Sequence, residues 1–185
     1  MKKEILIALA ASSAIATPAL AQSTSGTIAV TGSVAAKCSV ATPITGTITL
    51  NELAKADGTF DTTTPGVVGG LTRTFNVVCT SANPKISVSA DHALQLVPTS
   101  ASTGYTGDVH YTATIEADRA GTGFASVAYL TETPLGIQSV SLGDRLKNAA
   151  GNVRVKASAF HTVTATDLLY AGSYTSTITV TIAPV

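Results

Sequence analysis

The chain has no tryptophan, one methionine and two cysteines among 185 residues, and only 12% of it is charged. Each shortage excludes something. With five tyrosines, four phenylalanines and no cluster of Lys or Arg, the chain lacks the basic, aromatic-laced surface that holds nucleic acid or an anionic membrane. The two cysteines form no Cys-x-x-Cys pair, so a catalytic dithiol is disfavoured. A metal site would need two more ligands at suitable spacing, and His92, His110 and His161 are scattered singly. No metal and no cofactor are expected.

Catalytic signatures are equally scarce. There is no Gly-x-Ser-x-Gly elbow and no His-Glu-x-x-His, and Gly121-Thr122-Gly123 lacks the third glycine and the following helix of a phosphate-binding loop. Asp91-His92 and Asp108-Val109-His110 put carboxylates near imidazoles in sequence. The simplest reading makes these histidines surface or strand-edge residues rather than members of a triad. Asp57-Gly58-Thr59-Phe60-Asp61 has too few spaced carboxylates for a calcium loop and reads as a turn. The chain is not expected to be an enzyme.

The first residues predict export. Lys2 and Lys3 precede an apolar stretch over residues 5–16, and Ala19-Leu20-Ala21 fits a small-x-small cleavage site, so residues 1–21 read as a signal peptide and the mature chain starts at Gln22. The apolar stretch is too short to span a bilayer, and no run of eighteen apolar residues follows. Without Lys2, Lys3 and Glu4 the mature chain keeps nine basic and ten acidic residues, a net charge of −1. No electrostatic partner is implied. Low charge also weakens colloidal solubility, which suits a protein that ends in an assembly.

Thirty threonines, with abundant valine and isoleucine, favour half-buried pleated surfaces, and no mature segment sustains a helical apolar period. The fold is expected to be all-β. Alternating runs occupy residues 28–38, 44–50, 71–79, 85–90, 109–117, 124–130, 137–142, 153–159 and 173–183. Between them lie turn markers such as Asp57-Gly58, Pro65-Gly66, Gly69-Gly70, Asn83-Pro84, Pro98, Pro134 and Gly151-Asn152. Eight or nine short strands at this spacing predict one domain, a sandwich of two antiparallel sheets. Residues 50–57 and 142–150 are read as connections, each too short for a stable helix.

Cys38 and Cys79, with 40 residues between them, are expected to form one disulfide in an exported protein. In the chain-entropy model a loop of that length stabilises by about 4 kcal/mol. Phe75, Val77 and Cys79 share a strand face, so the bridge is expected against the core.

The most telling run is the first. Ile28, Val30, Gly32, Val34, Ala36 and Cys38 fall on one face of an extended strand and Ala29, Thr31, Ser33, Ala35 and Lys37 on the other. Such a strand can be kept as the first of a complete domain, or lent to the sheet of a neighbour. Residues 22–36 are therefore read as a donor strand or a first strand, and residues 37–185 as the sandwich domain.

The order of signal peptide, alternating N-terminal strand, Cys38, Cys79 and a closing Ala171-Gly172-Ser173-Tyr174 followed by Ile178, Val180 and Ile182 between threonines resembles subunits of archaic chaperone-usher pili, the spore coat protein U domain family. It departs from the family's pattern at Thr47-Ile48-Thr49-Leu50, at Ser176 where an acidic residue is common, and in its lack of tryptophan. The resemblance implies an immunoglobulin-like sandwich that is missing a strand and is completed by donor-strand exchange. In it Tyr174, Ile178, Val180 and Ile182 belong to the last strand, Ile28, Val30 and Val34 are plugs for a neighbour's groove, and Gly32 marks a tight approach. The implied partners are a periplasmic chaperone, an outer-membrane usher and neighbouring copies of the subunit, with export to the cell surface as a pilus that supports adhesion or biofilm formation. Two other classes compete with this expectation: a self-complete exported β-sandwich that binds a ligand or polymer, and a secreted hydrolase.

Overall fold

In the longest strand, Val109, Tyr111, Ala113, Ile115 and Ala117 are buried while the residues between them are half-exposed. A strand of that pattern has one face on a core. The structure is a computed structural model, and it describes residues 27–40, 44–63, 70–96, 102–133 and 135–185. The signal peptide, Pro65-Gly66, Pro98 and Pro134 lie outside the described residues.

Thirteen strands and no helix occur among the described residues. They are β1 (Cys38–Val40), β2 (Leu71–Phe75), β3 (Val77–Cys79), β4 (Lys85–Ala90), β5 (Leu94–Leu96), β6 (Tyr105–Thr106), β7 (Asp108–Arg119), β8 (Gly123–Leu130), β9 (Gln138–Ser141), β10 (Val153–His161), β11 (Leu168–Leu169), β12 (Tyr174–Thr175) and β13 (Ile178–Ala183). The fold is an all-β sandwich. In its larger layer β2 pairs with β10 and β10 with β7, whose other edge carries β8 and the short β5–β12 ladder. The smaller layer runs β13-β4-β9, and these named pairings are all antiparallel. β11 and β6 form a separate parallel pair. The core lies between the layers, where Ile86 and Val88 of β4 meet Val109 and Ile115 of β7, Val153 of β10, and Leu142.

Two irregularities set what faces inward. Between Ser158 and His161 the β10–β7 register shifts, because three steps on β10 answer two on β7. The extra residue is Ala159, at φ 54°. This bulge flips the side-chain phase so that Phe160 turns into the core against Tyr111, with ring centroids 5.7 Å apart. The second irregularity splits the expected strand over residues 71–79 at Asn76. Beside the split, the buried Asn152 side chain accepts from the Val77 N–H at 2.9 Å and donates to the Val77 carbonyl at 2.7 Å. One amide side chain thus replaces a ladder rung.

The expected strand over residues 28–38 is corrected. Only Cys38 of that run enters a strand, β1, which pairs with β3. By its contacts the chain divides after Ser33. Residues 27–33 take no strand, with Ile28 92% and Val30 93% exposed, and no heavy atom would lie within 4 Å of a Cβ on Gly32. In the second unit, Val34 is 81% exposed and residues 34–37 likewise precede any strand. Alternation specifies which face is apolar, and a ladder needs a partner edge as well. Residues 44–50 also alternate and also lack a ladder. Residues 50–57 and 142–150 are connections, the first closed by an Ala54–Phe60 bridge and the second touching β7 through an Arg119–Leu146 bridge.

Candidate groove between two sheet edges

β2 ends the larger layer and β13 ends the smaller one, and among the described residues neither carries a strand on its outer side. Between these edges lies a groove of about 430 Å³. Arg73 and Phe75 of β2 and Val155, Ala157 and Phe160 of β10 form one wall, with Tyr111 of β7 beside them. Ile178 and Val180 of β13 form the other, preceded by Ser176 and Thr177, and Ile44, Ile48 and Leu50 approach from residues 44–50. Arg73 is the one charged side chain in this lining, and its guanidinium is occupied, donating from Nε to the Thr47 carbonyl at 2.9 Å and from Nη2 to the same oxygen. The groove is an apolar slot flanked by backbone groups free to pair.

One end is closed by a polar knot. The Tyr111 phenol lies 2.6 Å from Ser176 Oγ, whose hydroxyl is shared between the His92 carbonyl at 2.7 Å and Asp91 Oδ1 at 3.1 Å. Asp91 Oδ1 also accepts from the Thr177 N–H at 2.8 Å. Burial works against the Asp91 charge. The amides of Thr177 and His92 and the Ser176 hydroxyl outweigh it and hold the carboxyl below the usual carboxylate range. Burial pushes the Tyr111 phenol up, so the phenol stays protonated and donates.

The sequence-derived site residues divide in two. Ile178 and Val180 line the groove, while Ile182 packs against the core further along β13. Tyr174 is not in that strand. It lies in β12, where its hydroxyl donates to the Tyr170 carbonyl at 3.0 Å, and burial pushes its phenol up. Cys38 and Cys79 form the disulfide directly across the β1–β3 pair, with Cα atoms 4.1 Å apart and Cys79 packed on the core. Beside it, Thr80 Oγ1 accepts from the Lys37 N–H at 2.9 Å and donates to the Ala35 carbonyl at 2.9 Å. The chain leading to Ile28, Val30, Gly32 and Val34 is therefore rooted at the bridge.

The histidines are less scattered than the sequence suggests. Register across β7 and β10 sets His110 opposite His161, with ring centroids 5.8 Å apart, and His161 Nε2 lies 3.1 Å from Glu132 Oε2. Among the described residues no group of three or more His, Cys, Asp or Glu is arranged to hold a metal ion. Sequence reasoning missed Tyr111, Phe75 and Phe160, which reach the groove from three different strands. No family model, curated protein or solved structure matches this chain. Fold and site together define a β-sandwich with an open slot between its layers.

Proposed function

We propose that this chain is a structural subunit of a cell-surface fibre, in which residues 27–36 of one copy lie in the groove of the next. The observation that carries the reading is the pairing of two features. One is an apolar slot between two unpartnered sheet edges. The other is an alternating segment, Ile28, Val30, Gly32 and Val34, whose three aliphatic side chains are exposed. A strand entering such a slot forms ladders with both edges and buries alternate side chains. Each aliphatic plug contributes about 1.5 to 3 kcal/mol when fully buried. Donation runs from one surface to a different surface, so it does not close and builds a filament.

The resemblance to archaic chaperone-usher pilins supports the same reading. It adds passage through the periplasm, a chaperone that covers the groove, an usher that exchanges it for the next subunit, and a role in adhesion or biofilm. The test is self-association of the mature chain, followed by sedimentation and by electrophoresis under mild denaturant. Native protein should give ladders, and Ile28→Asp with Val30→Asp should give monomers of unchanged melting temperature. A heat-stable monomer at every concentration would sink the proposal, as would ladders that persist in the double variant.

A further inference from the structure

Thr80 and Ser81, directly after β3, hold two distant parts of the chain. Thr80 Oγ1 accepts from the Lys37 N–H at 2.9 Å, donates to the Ala35 carbonyl at 2.9 Å and lies 3.3 Å from the Lys37 carbonyl. The Thr80 N–H donates to that same Lys37 carbonyl at 2.9 Å. Ser81 Oγ donates to the Val185 carbonyl at 2.9 Å and accepts from the Val185 N–H at 3.3 Å. Val185 lies two residues beyond β13. The root of the N-terminal segment and the far end of the groove's edge strand are thus tied to adjacent positions.

That placement creates a hazard. The β13 edge of the groove starts at the polar knot of Ser176 and Thr177 and runs toward Ala183, while Phe75 on the β2 edge leads through Asn76 into β3. The end of the groove without the knot therefore lies toward Lys37 and Cys38. Residues 27–33 extend over about 23 Å and the six residues of β13 over about 20 Å, so length does not keep the segment out of its own groove. An intramolecular strand also competes at an effective concentration of roughly millimolar. A chain that fills its own groove cannot polymerise.

We propose that Thr80 is the positioning residue that denies the segment its own groove and leaves it for a second copy of the chain. The proposal rests on the strand donation proposed above. Folding back at the root needs a turn of about four residues. Thr80 holds both backbone polar groups of Lys37 and the Ala35 carbonyl, and Cys38 is bridged to Cys79. The turn is therefore pushed off residues 35–38 onto Val34 and the residues before it. A turn there spends Val34 and leaves only Ile28 and Val30 as plugs for the slot. A neighbour's groove receives all three, so the joint between copies wins.

The test uses the mature chain and a labelled synthetic peptide of residues 22–37, whose uptake reports an open groove. Thr80→Val keeps the side chain's shape without its hydroxyl; it should slow uptake tenfold or more and reduce the ladders. Thr80→Ser, which keeps the hydroxyl, should behave as the native chain. Adding Ile28→Asp and Val30→Asp to Thr80→Val should restore native uptake, which loss of a merely structural contact would not allow. Two glycines inserted between Val34 and Ala35 leave every Thr80 bond in place and supply the missing turn. They should slow uptake as well, even where Thr80→Val fails to fold. A folded Thr80→Val chain, or the glycine insertion, that takes up peptide at the native rate would overturn the inference alone. So would slow uptake that persists in the triple variant. A native chain that takes up no peptide would sink the inference and the fibre reading together.

Discussion

Tyr111 and Ser176 join the two layers of the sandwich at the end of the groove, the phenol oxygen lying 2.6 Å from Ser176 Oγ. Tyr111 is buried at 3% exposure, so its hydroxyl depends on that partner. Ser176→Ala should cost about 1 to 3 kcal/mol by leaving the phenol without a partner. Adding Tyr111→Phe should recover part of the loss. Urea unfolding of the two single variants and the double variant measures the coupling, and strictly additive costs would contradict the bond.

Asp91 gives the chain an acid-sensitive latch at the start of β13. Its carboxyl is held below the usual range, so its contribution is complete above the unfolded carboxylate value of about 3.9 and is lost as pH falls through the lower folded value. The native chain should lose stability below about pH 4. Asp91→Asn should flatten that acid limb while lowering stability at neutral pH. Unfolding midpoints at several pH values check both signs, and an unaltered acid limb in the variant would assign the sensitivity elsewhere.

Asn152 offers a substitution with no conservative escape. Its amide accepts from Val77 N–H and donates to the carbonyls of Val77 and Lys147, each of the latter at 2.7 Å. Asn152→Asp is nearly isosteric yet has no N–H to give. Both Asn152→Asp and Asn152→Ala should destabilise by about 1 to 3 kcal/mol or more, since buried backbone groups lose their partners. Thermal unfolding reads the effect, and an aspartate variant as stable as the native chain would refute it.

Two positions in and beside β10 have positive φ, so inverse changes there predict opposite signs. At Gly70, φ is 69° and an added Cβ would stand 2.8 Å from the Ala157 carbonyl oxygen. Gly70→Ala should therefore be strongly destabilising. Ala159 sits at φ 54° with an exposed side chain, so Ala159→Gly should stabilise by up to about 1 kcal/mol. Melting temperatures compared side by side are sufficient.

Removing the disulfide should cost about 4 kcal/mol on the chain-entropy model. For a domain of this size that is a fall in melting temperature of roughly 10 °C. Scanning calorimetry with and without reductant, and of the Cys38→Ala, Cys79→Ala double variant, measures it. A shift of only a degree or two would mean that the unfolded chain is already constrained.

Much of the sandwich could be read from alternation alone. The run over residues 85–90 coincides with β4, and those at 109–117, 124–130, 137–142 and 153–159 match β7 to β10 within a few residues. Strands of two or three residues, such as β5, β6 and β11, are too short to show a period of two. The runs over residues 28–36 and 44–50 alternate as well as β13 does and yet pair with nothing among the described residues. Period-two patterning records which side of a segment is apolar. It carries no information about whether an edge is present to receive it.

Breaks in strands were hidden for a different reason. The long run at residues 173–183 is cut between β12 and β13 because Asp91 and His92 take up Ser176 and Thr177, from more than eighty positions away. The groove combines Ile178 and Val180, visible as a stripe, with Phe75, Tyr111 and Phe160, which converge only through pairing and one bulge. The His110–His161 meeting depends on the same bulge.

The bridge between Cys38 and Cys79 also governs how the body of the molecule meets a mechanical pull. β1 has three residues, too few to hold against tension by backbone bonds alone, and Thr80 adds one amide bond to the Lys37 carbonyl and hydroxyl contacts to Ala35 and Lys37. Force arriving along the N-terminal segment is passed covalently into β3 and on toward Pro84 and β4, the central strand of its layer. The chain therefore resists being unpeeled from its first rung, and yielding under load must begin deeper in the sandwich or at a joint outside it.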